Sequence, residues 1–253
     1  METKIFLILP LAFVCEYLDS SLGMGYGTTL TPLLLLMGFE PLHVVPAVLF
    51  SEFVTGITAA FFHHSLKNVN FNTNSKDAKV ASVLSIFAVI GTIAAVFVAV
   101  KLPANIIKLW ISVIVLSMGI IILATLNRQP KFTWKKIATI GTIASFNKGM
   151  SGGGYGPLVM GGQILSGIGV KNAIGITSLS EGLTCFAGVI VYIFFRSRVD
   201  WTLAPWLMAG AVLSVPLAAH TVKRISEKKI KFGIAIIICI LGCLTLGKVI
   251  FHV

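Results

Sequence analysis

The sequence predicts an all-α polytopic membrane protein made of two homologous halves, each holding one glycine-broken helix and three transmembrane helices. Three observations carry that prediction. Of 253 residues, 56% are hydrophobic and only 11% charged, with a mean hydropathy of +0.95, which is too apolar for a soluble domain of this length. Six stretches reach the roughly 20 residues needed to cross ~30 Å of hydrocarbon: 43–63, 80–100, 105–126, 172–195, 202–220 and 230–251. The chain also repeats itself. An ungapped shift of 129 positions places Gly23, Gly25, Tyr26 and Gly27 on Gly152, Gly154, Tyr155 and Gly156. The match continues with Gly38 on Gly167, and with Ser51, Glu52 and Thr55 on Ser180, Glu181 and Thr184.

Each element follows in chain order. Met1 to Cys15 has a lysine and an apolar run and so has the ingredients of a signal peptide. It leads directly into Glu16, Asp19 and the first glycine break, whose counterpart in the second half has no place in a cleavable leader, so it is expected to be a retained helix. The first arm runs from Ile5 to about Ser20, breaks through Gly23 to Gly27, and resumes at Thr28 as a short arm ending at Met37-Gly38. Phe39-Glu40-Pro41 makes a turn. The helix from His43 carries Ser51, Glu52, Thr55 and Thr58 and exits at His63-His64, a pair that reads as interfacial because no acidic ligand set accompanies it. Ser65 to Lys79 is the longest polar loop, and Lys101-Leu102-Pro103 divides the next two helices. Asn127 to Lys136, with four positive charges, joins a first repeat, 1–126, to a second, 137–253.

The second half repeats the plan with a break inside Ser145 to Pro157, a short arm over 157–166, and loops at Arg196 to Trp201 and Lys223 to Lys231. A fainter repeat at an offset of 123 pairs Ala88 with Ala211, Lys101 with Arg224 and Gly119 with Gly242.

The net charge of +11 raises the question of nucleic acid, but the basic residues sit between apolar segments, as loop charges that orient a membrane protein do. Excluding Lys148, they divide 11 against 8 between the two faces if both broken segments cross the membrane, and 13 against 6 if both turn back. Positive charge marks the cytoplasmic face, so re-entrant segments are favoured. Three crossings per half is an odd number and inverts one half relative to the other, the plan of many secondary transporters. Cys15, Cys185, Cys239 and Cys243 all fall in apolar segments. The last two lie one helical turn apart, poor geometry for a disulfide, and are read as small core residues. No metal or cofactor is expected.

A glycine break at membrane depth exposes backbone that only protein or a water-filled cavity can satisfy. Glycine permits positive φ and lets a ligand approach N–H groups, and the short arm behind it aims a helix N-terminus at the same spot; Pro157 suits such a first turn. That chemistry favours an anion, although glycines also serve close helix crossings. The candidate binding residues are Gly23, Gly25, Tyr26 and Thr28 with Asn147, Lys148, Gly152, Gly153, Gly154 and Tyr155. Lys148 is the one basic residue deep in an apolar region, and an intramembrane charge requires a partner or a substrate. Its repeat counterpart is Asp19, so an ion pair between them and a substrate-binding Lys148 are both open.

Glu52 and Glu181 occupy matched sites in apolar helices. Thr177, Ser180, Glu181 and Thr184 recur at i, i+3, i+4 and i+7, a polar stripe expected to face the bundle interior. Ser51, Thr55, Ser180 and Thr184 are the pathway-lining candidates. Desolvation there disfavours a carboxylate relative to its acid, so Glu52, Glu181 and Asp19 are candidates for proton coupling, with bonding to the glycine-loop backbone as the equal alternative.

Gly25-Tyr26-Gly27 and Gly154-Tyr155-Gly156 echo a potassium-channel filter, but Thr-Val does not precede them and the short helix follows the loop. Gly149-Met150-Ser151-Gly152 with His220 resembles an intramembrane serine protease, yet Ser151 matches Leu22 in the other half, so the repeat keeps the backbone and discards the nucleophile. An enzyme is not expected.

The paired breaks, the short arms ending in glycine, and the segments Gly23 to Pro46 and Gly149 to Thr184, including Lys171-Asn172-Ala173-Ile174-Gly175-Ile176-Thr177-Ser178, resemble the TauE/SafE sulfite exporter family over about 5–250. The resemblance implies a multi-pass inner or plasma membrane permease for small anions, often sulfite or organosulfonates, driven by an ion or proton gradient; no Walker motif is present. The partners expected are a small anion and the lipid bilayer, with a homodimer allowed and no nucleic acid. Pro46 to Glu52 departs from the small-Thr-Ser-Leu run seen at Ile176 to Leu179. Three acidic residues against one Lys148 would also suit a cation carrier or channel.

Overall fold

The computed structural model describes residues 2–125, 134–164, 168–195, 199–222 and 227–250. These form ten helices: α1 (Glu2–Leu22), α2 (Tyr26–Leu36), α3 (Pro41–Ser65), α4 (Lys76–Ala99), α5 (Ala104–Thr125), α6 (Trp134–Ser151), α7 (Tyr155–Ile164), α8 (Val170–Phe194), α9 (Ala204–Thr221) and α10 (Glu227–Ile250). No strand occurs among the described residues. Gly167, most of the basic 127–136 junction and parts of the loops at 196–201 and 223–231 lie outside them.

The long helices match the apolar stretches to within a few residues, and α3, α4 and α8 are long and apolar enough to cross a membrane. Large apolar side chains such as Phe61, Ile90, Phe194 and Leu213 point outward, as a lipid-facing surface requires. The short arms begin two residues earlier than the glycine count suggests, at Tyr26 and Tyr155 rather than Thr28 and Pro157. Gly25, at φ 133°, makes the turn into α2, so Tyr26 is free to open the helix.

The packing exchanges the two halves. Helix α1 lies along α9 as α6 lies along α4; α3 packs on α9 as α8 packs on α4; and α3 crosses α8 while α5 crosses α10. Where α3 meets α8, a Cβ on Gly56 would sit 2.7 Å from the Ser178 carbonyl oxygen and 2.8 Å from Gly182 Cα. Small residues allow this approach, the usual means of helix association in lipid.

Polar contacts define the ends of the bundle. At one end His43, opening α3, meets Asp200 before α9 at 3.5 Å, and Glu40, following α2, meets Lys108 of α5 at 3.2 Å. At the other, Asn68 after α3 donates to the Ala219 carbonyl late in α9, Tyr17 of α1 donates to Thr221 at the end of α9, and Asn172 of α8 donates to Asp77 of α4.

Candidate functional site

The two glycine breaks lie backbone against backbone. A Cβ on Gly27 would run into the Gly152 carbonyl, one on Gly153 would lie 2.6 Å from Gly27 C and Thr28 N, and one on Gly156 would lie 2.6 Å from the Gly23 carbonyl oxygen. Gly23, Gly25, Gly152 and Gly154 all have positive φ, which L side chains rarely adopt. The Thr28 hydroxyl accepts from Gly154 N at 2.8 Å and so ties the breaks together.

Lys148, in the last turn of α6, is 1% exposed. Its Nζ bonds Glu181 Oε1 of α8 at 2.7 Å and also contacts Glu52 of α3. Of the two readings of its partner, Asp19 is therefore set aside: the ammonium is held by the paired glutamates, because α3 and α8 cross where the breaks meet. Asp19 instead accepts from Tyr26 N at 3.2 Å, across the first break. Glu52 Oε1 accepts from Gly27 N at 3.2 Å, so one glutamate touches both the ammonium and the break backbone. Cys185 Sγ lies 3.8 Å from Glu52 Oε2.

The polar stripe of α8 is buried, as are Ser51 and Thr55 of α3. Ser51 pairs with the Tyr26 hydroxyl at 2.8 Å. In the other half Tyr155 has Ser180 and Thr184 as neighbours, but its hydroxyl has no partner of hydrogen-bonding geometry. Both hydroxyls beside it donate into their own helix, to Thr177 O and Ser180 O. Asn147 is buried beside Lys148. Gly153 N and Ser151 Oγ bond each other locally at 3.1 Å.

Three residues of this region were not among the binding, coupling or pathway-lining candidates. Glu16, one turn before Asp19, accepts from Ser20 at 2.6 Å and Thr55 at 3.1 Å; the signal was its i, i+3, i+4 spacing to Asp19 and Ser20. Cys185 joins the cluster rather than only filling space. His63 is fully buried rather than interfacial, whereas His64 is exposed. A small cavity here is lined by Glu16, Asp19, Glu52, Thr55, Gly56, Ala59, Ser178 and Glu181. Its free space, about 10 Å³, is close to that of one water. Among the described residues no group of His, Cys, Asp and Glu has metal-site geometry.

The family model for the sulfite exporter TauE/SafE matches residues 8–245. The chain belongs to that family. A TauE/SafE chain is a membrane transporter, and the apolar helices and buried polar core fit that class. It is 28% identical over 236 residues to the probable membrane transporter protein YtnM of Bacillus subtilis (strain 168), a match covering 87% of this chain and 75% of that protein. No solved structure matches it significantly.

Proposed function

We propose that this TauE/SafE protein is a secondary-active permease for small anions, sulfite or organosulfonates being the favoured class, coupled to protons and resident in the inner or plasma membrane. The observation that carries the reading is Glu52. Its carboxylate contacts Lys148 and Gly27 N, so a carboxylate already occupies the position that an ammonium and a break N–H would offer to a substrate anion. Protonation of Glu52 frees both donors, and the substrate anion takes its place. Glu181 keeps one contact on Lys148, and Asn147, Tyr155 and Thr28 border the same crossing. With Glu52 and Glu181 on the one ammonium and Glu16 and Asp19 lining the same small cavity as these two, proton uptake and release supplies the remaining charge balance.

The bundle contacts support inverted, re-entrant halves. Helix α1 reaches the end where Tyr17 meets Thr221, whereas α2 leads back to the end where Glu40 meets Lys108. In the second half α6 and α7 run the opposite way: Gln163 of α7 returns to Ala173 and Thr177 near the start of α8.

A cation carrier is the second reading, favoured by the cavity lining, which includes four carboxyl residues but not Lys148. Sulfite and organosulfonate flux into proteoliposomes, with and without a pH gradient, separates the two. The anion reading expects gradient-dependent flux that disappears in Lys148→Ala and loses its pH coupling in Glu52→Gln. Cation flux that survives Lys148→Ala and is abolished in Glu52→Gln, with no anion flux, would replace it.

A further inference from the structure

The polar face of α3 continues past Glu52. Glu52, Thr55, Gly56, Ala59 and His63 fall at i, i+3, i+4, i+7 and i+11 and share one helix face. The first four line the central cavity. His63 follows one turn later, with Nε2 at 2.9 Å from the Ser20 carbonyl oxygen and Nδ1 at 3.1 Å from Asn68 Nδ2. The carbonyl only accepts, so Nε2 carries the proton and Nδ1 accepts from the amide. Asn68 Nδ2 also donates to the Ala219 carbonyl at 3.1 Å. One imidazole and one amide thereby tie together the ends of α1, α3 and α9.

The end of α3 places Asn68 there. Lys67 takes a left-handed φ of 59°, Asn68 N donates to His63 O at 2.8 Å, and Lys67 N donates to His64 O at 3.0 Å, a Schellman closure. Asn68 Oδ1 is buried without a partner. A buried unpaired acceptor is costly, and rotation of the amide outward would relieve it.

Beyond Asn68 the protein opens into a pocket of about 580 Å³ lined by His64, Lys67, Asn68, Asn72, Lys171 and Asn172 among others, none of them acidic. Asp77, beside its rim, is engaged by Asn172 Nδ2 at 2.6 Å and Asn70 N at 3.0 Å. The volume is that of a small-ligand site, and ammonium groups with side-chain amides are donors for an oxyanion. Resting on the anion reading above, we propose that this pocket is the vestibule through which a sulfonate-class anion reaches the central site, and that His63 with Asn68 is the gate between the two.

The test uses the full-length protein, with its native cysteines replaced, in vesicles of defined orientation. Asn72→Cys reports on the pocket and Ala59→Cys on the space behind the gate. The probes are the anionic 2-sulfonatoethyl and the cationic 2-(trimethylammonio)ethyl methanethiosulfonates, each rate normalised to that with a free thiol. Asn72→Cys is expected to favour the sulfonate several-fold and to lose that preference in Lys67→Gln/Lys171→Gln. Ala59→Cys is expected to stay unreactive with His63 in place and to react, from the face bearing the α3–α4 loop, once His63→Ala is added. Asn68→Ala, which leaves His63 bonded to Ser20, opens the same route should His63→Ala fold poorly. Absence of a charge preference at the pocket, or an Ala59→Cys that reacts from the other face or ignores both gate variants, overturns the proposal. These readouts need no transported substrate. An intact gate with no anion flux therefore overturns the substrate reading alone, and anion flux with an indifferent gate overturns the gate alone.

Discussion

At Lys148 an ammonium is held inside the bundle by carboxylates from two different helices. Breaking a buried ion pair by removing one partner is far more costly than replacing all partners with neutral groups, because the charges left behind are uncompensated. Lys148→Met is expected to destabilise the detergent-solubilised protein by roughly 3–5 kcal/mol, read as a lower melting temperature. The triple variant Lys148→Met/Glu52→Gln/Glu181→Gln should recover most of that loss while remaining inactive in transport; a triple variant that transports anions would remove Lys148 from the mechanism. Glycine substitutions should separate by their surroundings. Gly27→Ala drives a methyl into the Gly152 carbonyl, where backbone has little room to yield, and is expected to cost at least about 1–3 kcal/mol. Gly247→Ala in α10 meets nothing within 4 Å and should be neutral or gain up to about 1 kcal/mol from helix propensity. Equal losses at both positions would mean that the backbone contact between the breaks is not what limits Gly27. The sequence showed that Gly27 corresponds to Gly156 and Lys148 to Asp19. An offset alignment identifies equivalent residues, not touching ones, so the partners of Lys148 emerged only when α3 and α8 were seen to cross.

Helices were the most legible level, because a long apolar run has few alternatives in a bilayer. The breaks were legible as breaks, but not to the residue: positive φ at Gly25 and the Asp19 carboxylate on Tyr26 N start α2 early, and neither effect has a periodic signature. Buried His63 was less legible still, since its partners come from α1 and from beyond the end of α3. The approach to α9 offers a test in water. Asp200 is partly buried, which would raise its pKa, but hydrogen bonds from the Thr202 hydroxyl and N–H and the neighbouring His43 outweigh burial and hold it below the usual carboxylate value. A carboxyl depressed in the folded state contributes stability above its unfolded value near pH 4, and that contribution is lost as pH falls through the lower folded value. Wild type should therefore melt above Asp200→Asn at pH 6, and the gap should close below about pH 4. A gap that is constant across that range would mean that the carboxylate's charge contributes nothing at this turn.

For the whole molecule the decisive quantity is which end of the bundle each connection occupies. The contacts His43–Asp200 and Glu40–Lys108 gather the starts of α3, α5 and α9 at one end, and Asn68–Ala219 and Asn172–Asp77 gather the α3–α4 turn, the end of α9 and the start of α8 at the other. If the α1–α2 and α6–α7 segments are re-entrant, the N-terminal tip of α1 shares a side with Glu40, Asn105 and Thr202; if the first segment crosses, that tip lies opposite Glu40 and Asn105. The loops with the larger share of positive charge would face the cytoplasm, which places Asn74 inside and Glu40 outside. Single cysteines at Thr3, Glu40, Asn74, Asn105 and Thr202, labelled with an impermeant maleimide in intact cells and in inverted vesicles, separate the arrangements. Labelling of Thr3, Glu40, Asn105 and Thr202 from outside, and of Asn74 only in inverted vesicles, is the re-entrant result. Labelling of Thr3 with Asn74 would mean that the first broken segment spans the bilayer, and the inverted relation between the halves would fall with it. The charge count alone, 13 against 6 in one arrangement and 11 against 8 in the other, favours the first; the side on which Thr3 is labelled decides between them.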